Sequence, residues 1–386
     1  MPFGGVYEIY AKANKLEEQG KRIIHMEIGR PDFDSPDFAK EAVKLALDKS
    51  QVHYTDANGI ETLRKAIVEK EERRFGLKYD YETEISIMCG AAEVIGVIML
   101  TMMNPGDEII CPSPYFSAYK EQALISGVKL VEVPTLMSES WQLNVEKIRN
   151  KITSKTKMLL INSPNNPTGY ILSEENLQQI ANIAKEKDLI VLSDECYDEF
   201  IYGEKHISIS TLEDMRDRTL IVKSASKSFS MTGWRIGYAA ANEDIAKLMS
   251  NIQSHTTSNP CSISQYASVE GLVGDQSSVE YMKKHFAERR NVMVDMVNSI
   301  KGLSCRKPKG AFYVMVNFKN IKGKNIAGTK VESSLDFAKL LLDKVKVAVI
   351  PGIAFGNDDY IRLSYATSME NIKEGLRRIK QIVEEK

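Results

Sequence analysis

The chain has 386 residues, 43% of them hydrophobic and 27% charged, a length and balance that suit a globular protein of about two or three domains. A formal net charge of −1, from 51 basic and 52 acidic side chains, supplies no field for capturing nucleic acid or an anionic membrane. Five widely spaced cysteines (Cys89, Cys111, Cys196, Cys261, Cys305) contain no Cys-x-x-Cys pair. That argues for a reducing compartment and against a disulfide framework or a metal site. The longest apolar run, Val94 to Met103, is too short for a membrane span. The N-terminus carries acidic and basic residues where a secretory signal has its apolar region. The expectation is a soluble cytoplasmic protein.

In chain order, helical spacing over Ala91–Met103 precedes a strand-like run at Glu108–Cys111. A helix is expected over Tyr115–Ser126 and a strand at Lys157–Asn162. Ser173 then reads as the cap of a helix to Lys187, since a hydroxyl oxygen followed by Glu174 and Glu175 suits a helix start. Further strands are expected at Leu189–Ser193, Leu220–Lys223 and Ile236–Ala240. Apolar strands alternating with helices predict a mostly parallel sheet covered on both faces, with ligands bound beyond the carboxyl ends of its strands. After residue 280 the texture changes. A polar helix over Val279–Ile300, strands around Gly310–Val316, Val347–Gly352 and Tyr360–Tyr365, a helix over Ser334–Val345 and a charged terminal helix read as a smaller α+β domain. The expected division is an N-terminal segment (1–42) packing with the small domain, a large domain (43–285) and a small C-terminal domain (286–386).

The most informative stretch runs from Ser224 to Tyr238, SASKSFSMTGWRIGY. It places Lys227 among small and hydroxyl residues, with Arg235 as the next charge. Hydroxyls, backbone N–H groups and a guanidinium fork hold a dianionic phosphate, and an amine beside such a cradle is what a Schiff-base lysine for pyridoxal phosphate requires. Asp194 ends an apolar strand, with Tyr197 three residues on. A carboxylate buried there needs a cationic partner, which a protonated pyridine nitrogen supplies, although an isolated Ser-Asp also reads as a helix cap. Asn166, in SPNNPTG, reads as a turn residue or as a donor to a ligand oxygen. Phe116, after another strand end, suits stacking on a flat ring or core packing. Arg362 suits a bidentate clamp on a carboxylate or a surface ion pair.

Taken together, these residues resemble the class I/II, fold type I pyridoxal-phosphate-dependent aminotransferases, in particular the aspartate aminotransferase subgroup of bacteria and archaea. The resemblance runs from IGRPDF (28–33) to IRLSYAT (361–367) and rests on SPNNPTG, SDE-x-Y and SK-x-F-x-MTGWRIGY in one order. It implies an α/β fold with a mostly parallel seven-stranded sheet sandwiched by helices, plus a smaller α+β domain. It implies amino-group transfer between an α-amino acid and a 2-oxo acid by a ping-pong aldimine/ketimine route. In that reading Lys227 forms the internal aldimine and moves the α-proton, and Asp194 pairs with the pyridine nitrogen. Tyr197 and Asn166 hydrogen-bond the phenolic oxygen, and Phe116 stacks on the ring. Ser224, Ser226, Arg235 and the backbone at Ala91 and Ala92 hold the phosphate, the last at a helix N-terminus. Arg362, helped by the backbone of Gly29, grips the substrate carboxylate. Tyr54 resembles a tyrosine that reaches the phosphate of a partner subunit, which implies a homodimer with shared sites.

Ala91 and Ala92 stand where aspartate-specific relatives carry a lysine or serine for a distal carboxylate, and Arg30 stands where they carry glutamate. The pocket is expected to draw on Phe3 to Tyr7. The same cofactor residues also serve carbon–sulfur β-lyases and cyclising synthases, which remain an alternative. A non-catalytic regulator of the same fold is disfavoured by the intact lysine, aspartate and both arginines.

Overall fold

In the computed structural model, residues 6–385 are described, with side chains from Glu8 onward. At the centre lies a seven-stranded sheet: β1 (Ile85–Met88), β2 (Glu108–Ser113), β3 (Lys129–Pro134), β4 (Thr156–Asn162), β5 (Ile190–Asp194), β6 (Thr219–Ser224) and β7 (Gly237–Ala240). The spatial order is β1-β7-β6-β5-β4-β2-β3, and only β7 runs against the others. The inner strands are buried along nearly their whole length, which is the signature of a sheet sealed by helices on both faces. The helix Glu174–Glu186 is capped by Ser173, whose Oγ accepts the Asn176 N–H at 3.2 Å. It turns Leu177, Ile180, Ala181, Ile183 and Ala184 inward.

Two of the seven strands carry no strong sequence signal. β1 has four residues, and β3 is an edge strand whose residues are mostly half-exposed. The helix expected from Tyr115 begins at Ala118 instead, because the strand runs to Ser113, the chain bends at Pro114, and the Tyr115 N–H bonds the Phe355 carbonyl. The run Val347–Pro351 splits into two short strands that join different sheets.

Beyond the large sheet, Tyr313–Asn317, Tyr360–Ser364 and Ile350–Pro351 form a three-stranded antiparallel sheet in which Arg362 pairs with Met315 and Ile350. Ile24–His25 pairs in parallel with Val347–Ala348, and the Ser364 N–H bonds the Met26 carbonyl at 2.7 Å. The helices Asp37–Asp48 and Ser277–Asn298 run unbroken across positions 42 and 285.

Candidate active site

Five of the six parallel strands, all but the edge strand β3, deliver residues to one cavity of about 470 Å³ at the carboxyl ends of the sheet. Ala91 and Ala92 follow β1, Phe116 follows β2, and Asn162 with Asn166 ends β4. Asp194 and Tyr197 end β5, and Ser224, Ser226 and Lys227 end β6. Arg235 enters from the turn before β7, Gly29 from the N-terminal segment and Arg362 from the antiparallel sheet. The residues expected from the sequence to hold the cofactor and the substrate carboxylate therefore meet in one place, except Tyr54. That side chain is 90% exposed and lies outside the cavity of its own chain.

Adjacent strands fix the floor. Asn162 pairs with Asp194, and Asp194 pairs with Val222. Asn162 donates to the Asp194 carbonyl at 2.9 Å and accepts the Asn166 N–H at 2.8 Å, so one side chain ties both strand ends together. The Asp194 carboxylate accepts from the Tyr119 hydroxyl at 2.5 Å and the Cys196 N–H at 3.1 Å. It is 5% exposed and makes no ion pair among the described residues. Burial raises its pKa, against the opposing pull of those two donors.

Across the cavity, the Arg362 guanidinium is 6% exposed. It donates to Asn166 Oδ1 at 3.1 Å and to the Glu27 carbonyl at 2.7 Å, and its carbon lies 4.3 Å from the Tyr313 ring centroid. Nε has no partner, and no carboxylate pairs with the group among the described residues. Burial lowers its pKa. Asn166 in turn donates to the Tyr197 hydroxyl at 3.4 Å, which contacts the Tyr313 hydroxyl at 2.9 Å. Burial also pushes the Lys227 ammonium down to about 8, with the positive charges of Arg362 and Arg235 acting in the same direction. Its Nζ donates to the Gly29 carbonyl.

The Arg235 guanidinium bonds the carbonyls of Thr232 (3.0 Å) and Cys89 (3.1 Å). It lies so close to Gly90 that a Cβ there would collide with it, and Gly90 also has φ +84°. Only glycine combines that left-handed backbone with that approach. Gly90 leads directly into the helix Ala91–Met102, whose first residues, Ala91 and Ala92, line the same cavity.

A family model, Aminotransferase class I and II, matches residues 21–379. The chain belongs to this family. It is 40% identical over 381 residues to a probable aspartate/prephenate aminotransferase of Aquifex aeolicus, covering 98% of this chain and 95% of that one. It is 39% identical over 369 residues to aromatic-amino-acid aminotransferase 2 of Thermococcus litoralis, with 94% and 92% covered. The solved structure of an aspartate aminotransferase from Thermus thermophilus with maleate superposes with a TM-score of 0.92 at 35% identity, covering 98% and 96%. This chain is an aminotransferase of fold type I, acting on amino acids and 2-oxo acids. The β-lyase and cyclase alternative draws no support from these relatives.

The class I and II aminotransferases are pyridoxal-phosphate enzymes, and the donor set of this aminotransferase fits that cofactor. It has an unpaired buried carboxylate for a ring cation, an amine beside it, and a guanidinium with helix N–H groups for a phosphate. The sequence reading missed Tyr119, Tyr313 and Asn162, which bond the groups above, and Tyr10, Ile28, Ile350 and Phe355 in the lining. Tyr119 and Tyr313 are fully buried aromatics, so their hydroxyls leave no pattern distinct from core packing. Arg30 is exposed and does not line the cavity, so it offers no replacement cation in this aminotransferase. The expectation for Phe3 to Tyr7 falls outside the described side chains.

Proposed function

We propose that this aminotransferase binds pyridoxal 5'-phosphate in the cavity around Lys227 and uses it to move an amino group from an α-amino acid to a 2-oxo acid. The observation that carries the reading is one cavity holding two unpaired buried charges of opposite sign, Asp194 and Arg362, with a lysine whose pKa is lowered to about 8. Unpaired buried charges are costly, and a cofactor cation and a substrate carboxylate would satisfy them.

When bound, the cofactor supplies an electron-poor ring that takes up the electron pair left by the departing α-proton. The residues of the chain supply the rest. Asp194 would hold positive charge on the ring nitrogen, and Tyr119 and the Cys196 N–H, by donating to its carboxylate, oppose the burial that favours its neutral form. Tyr197 and Asn166 present hydrogen bonds to the phenolic oxygen, and Phe116 covers the ring face. Ser224, Ser226, Arg235 and the N–H groups of Ala91 and Ala92 take the phosphate. Arg362 clamps the α-carboxylate with Asn166 beside it, which fixes which face of the α-carbon meets Lys227. At neutral pH a lysine near pKa 8 exists partly as the free amine, so Nζ can take the α-proton and return one in the opposite half-reaction.

Lys227, Arg235 and Arg362 are the only cations in the described lining. Tyr10, Ile28, Ile350, Phe355 and Tyr313 surround them. This supports apolar and aromatic donors over dicarboxylates. Tyr54, solvent-exposed on its own chain, fits a role at the phosphate of a second copy in a homodimer, and we place the enzyme in the cytoplasm. No described helix is long and apolar enough to cross a membrane.

Borohydride reduction of the cofactor-loaded protein, followed by peptide mass spectrometry, is expected to find the adduct on Lys227. An intact protein with no adduct, or with the adduct on another lysine, removes Lys227 from this role.

A further inference from the structure

The segment Asp194–Asp198 sorts its side chains by spacing. Asp194 and Tyr197 line the cavity, while Glu195 and Asp198, each one residue further on, enter a buried ion network instead. Lys223 lies at the centre of that network. It belongs to β6, directly before Ser224. Its Nζ lies 2.9 and 3.0 Å from the two carboxylate oxygens of Glu71, 3.3 Å from Asp198 and 3.5 Å from Glu195. The Phe75 ring centroid is 4.1 Å away. Glu195 also receives the hydroxyls of Ser193 (2.9 Å) and Ser208 (2.7 Å) and contacts His206 Nε2 at 2.9 Å. Asp198 receives Arg74 at 2.9 Å, and Glu71 receives the Tyr238 hydroxyl at 2.9 Å. Glu71, Glu195, Asp198 and Lys223 are each no more than 3% exposed.

Burying four charges adds little stability over apolar residues of the same volume. What it does add is directional fixing: each ion must sit where its partners are, or remain unpaired in a dry interior. Lys223 has partners on three elements, namely the helix Glu61–Phe75 through Glu71, the end of β5 through Glu195, and the following turn through Asp198.

We propose that Lys223 is a positioning residue, which clamps the turn Asp194–Asp198 from behind through Glu195 and Asp198 and so sets where Asp194 and Tyr197 stand in the cavity. This rests on the reading of Asp194 and Tyr197 as cofactor-facing groups. The clamp joins two strand ends that each carry part of the site, because the chain leaving Lys223 reaches Lys227 within one helical turn. A shift of the clamp therefore changes the separation of Asp194 from Lys227 directly, and reaches Arg362 only at one remove, through Tyr197 and Asn166.

Lys223→Met alone leaves three carboxylates facing one another and is expected to destabilise the fold. The double variant Glu71→Leu/Lys223→Met removes the central pair while leaving Glu195 with His206 and Asp198 with Arg74. Asp198→Asn releases one arm only. For the folded variants, the ligand-free crystal structure is expected to show Asp194 and Tyr197 displaced. With the loaded enzyme, kcat falls about ten- to a hundredfold, the loss expected for a misplaced reacting group. The KM for the amino donor, governed by Arg362, moves less than about threefold. Lys223→Arg restores most of kcat. Folded variants whose ligand-free turn superposes on that of the parent, with an unchanged kcat, overturn the proposal. Failure of the cofactor reading shows separately, as a missing adduct on Lys227 in the parent protein, and leaves the ligand-free comparison decisive for the clamp.

Discussion

Asp194 and Lys227 are both disfavoured as charged groups by burial, and the consequences differ in sign. The Asp194 carboxyl is raised, so the native state holds its proton to higher pH than the unfolded chain does, and this group makes the ligand-free protein lose stability as pH rises through its native pKa. Asp194→Asn is expected to leave the melting temperature of the ligand-free protein unchanged or higher while lowering kcat about a thousandfold. A stability loss without a rate loss would make Asp194 a cap. For Lys227 the native pKa is about 8 against an ordinary 10.5. The unfolded state therefore binds more protons in that window, and the destabilisation present below pH 8 is relieved as pH rises toward 10.5. Urea titrations across that range should show the parent gaining stability relative to Lys227→Met; parallel curves would contradict it. Lys227, Asp194 and Asn166 were legible in the sequence because each is a polar residue at or just beyond the end of an apolar strand, and Arg362 because it is a lone charge inside the apolar strand Tyr360–Ser364. Tyr119 was not, since a tyrosine inside a helix with buried neighbours announces its ring and not the bond its hydroxyl makes to Asp194.

At the scale of elements, the strands that read clearly were those sealed on both faces. β4, β5 and β6 each contain a continuous apolar run, whereas β3 is mostly half-exposed at the sheet edge with no alternation and β1 is too short to show a period. Cap chemistry was readable at Ser173, and Ser173→Ala is expected to lower stability by about 1 kcal/mol with kcat unchanged; an equal loss of activity would tie that helix to the site. The docking of the N-terminal segment was less legible, because its strand has only two residues and pairs with Val347–Ala348 through the backbone; charge acts within the segment itself. His25 Nδ1 lies 2.7 Å from Glu27 and Nε2 3.0 Å from Glu17. Mainly through Glu27, and despite burial, its pKa rises from 6.5 to about 9. That contribution is complete below pH 6.5 and is lost as pH rises through 9. His25→Gln should flatten this part of the stability profile, which runs opposite to that of Lys227. A profile identical to the parent's would show that the pairs of His25 with Glu17 and Glu27 add nothing to stability.

For the whole molecule, the family and the fold follow from matching motifs along nearly the full chain, and Tyr54, exposed on its own chain, belongs to the scale of the assembly. If sites are shared across a homodimer, Tyr54→Ala and Lys227→Ala damage different halves of the same site. Mixing equal amounts of the two weak variants and reassembling them should then recover up to about a quarter of the parental activity, since half of the dimers are heterodimers and one of the two sites in each keeps both residues. No recovery despite demonstrated exchange would place Tyr54 outside the site.

The central claim, that this aminotransferase moves amino groups through a cofactor held at Lys227, is tested most directly by a half-reaction without acceptor. The loaded enzyme is mixed with a panel of aromatic, apolar and acidic amino acids, and the 2-oxo acid released is counted. The account predicts one oxo acid per site and no further turnover, fastest with aromatic or apolar donors, and none from Lys227→Ala. Release from no donor, or equal release from the Lys227→Ala enzyme, would contradict it.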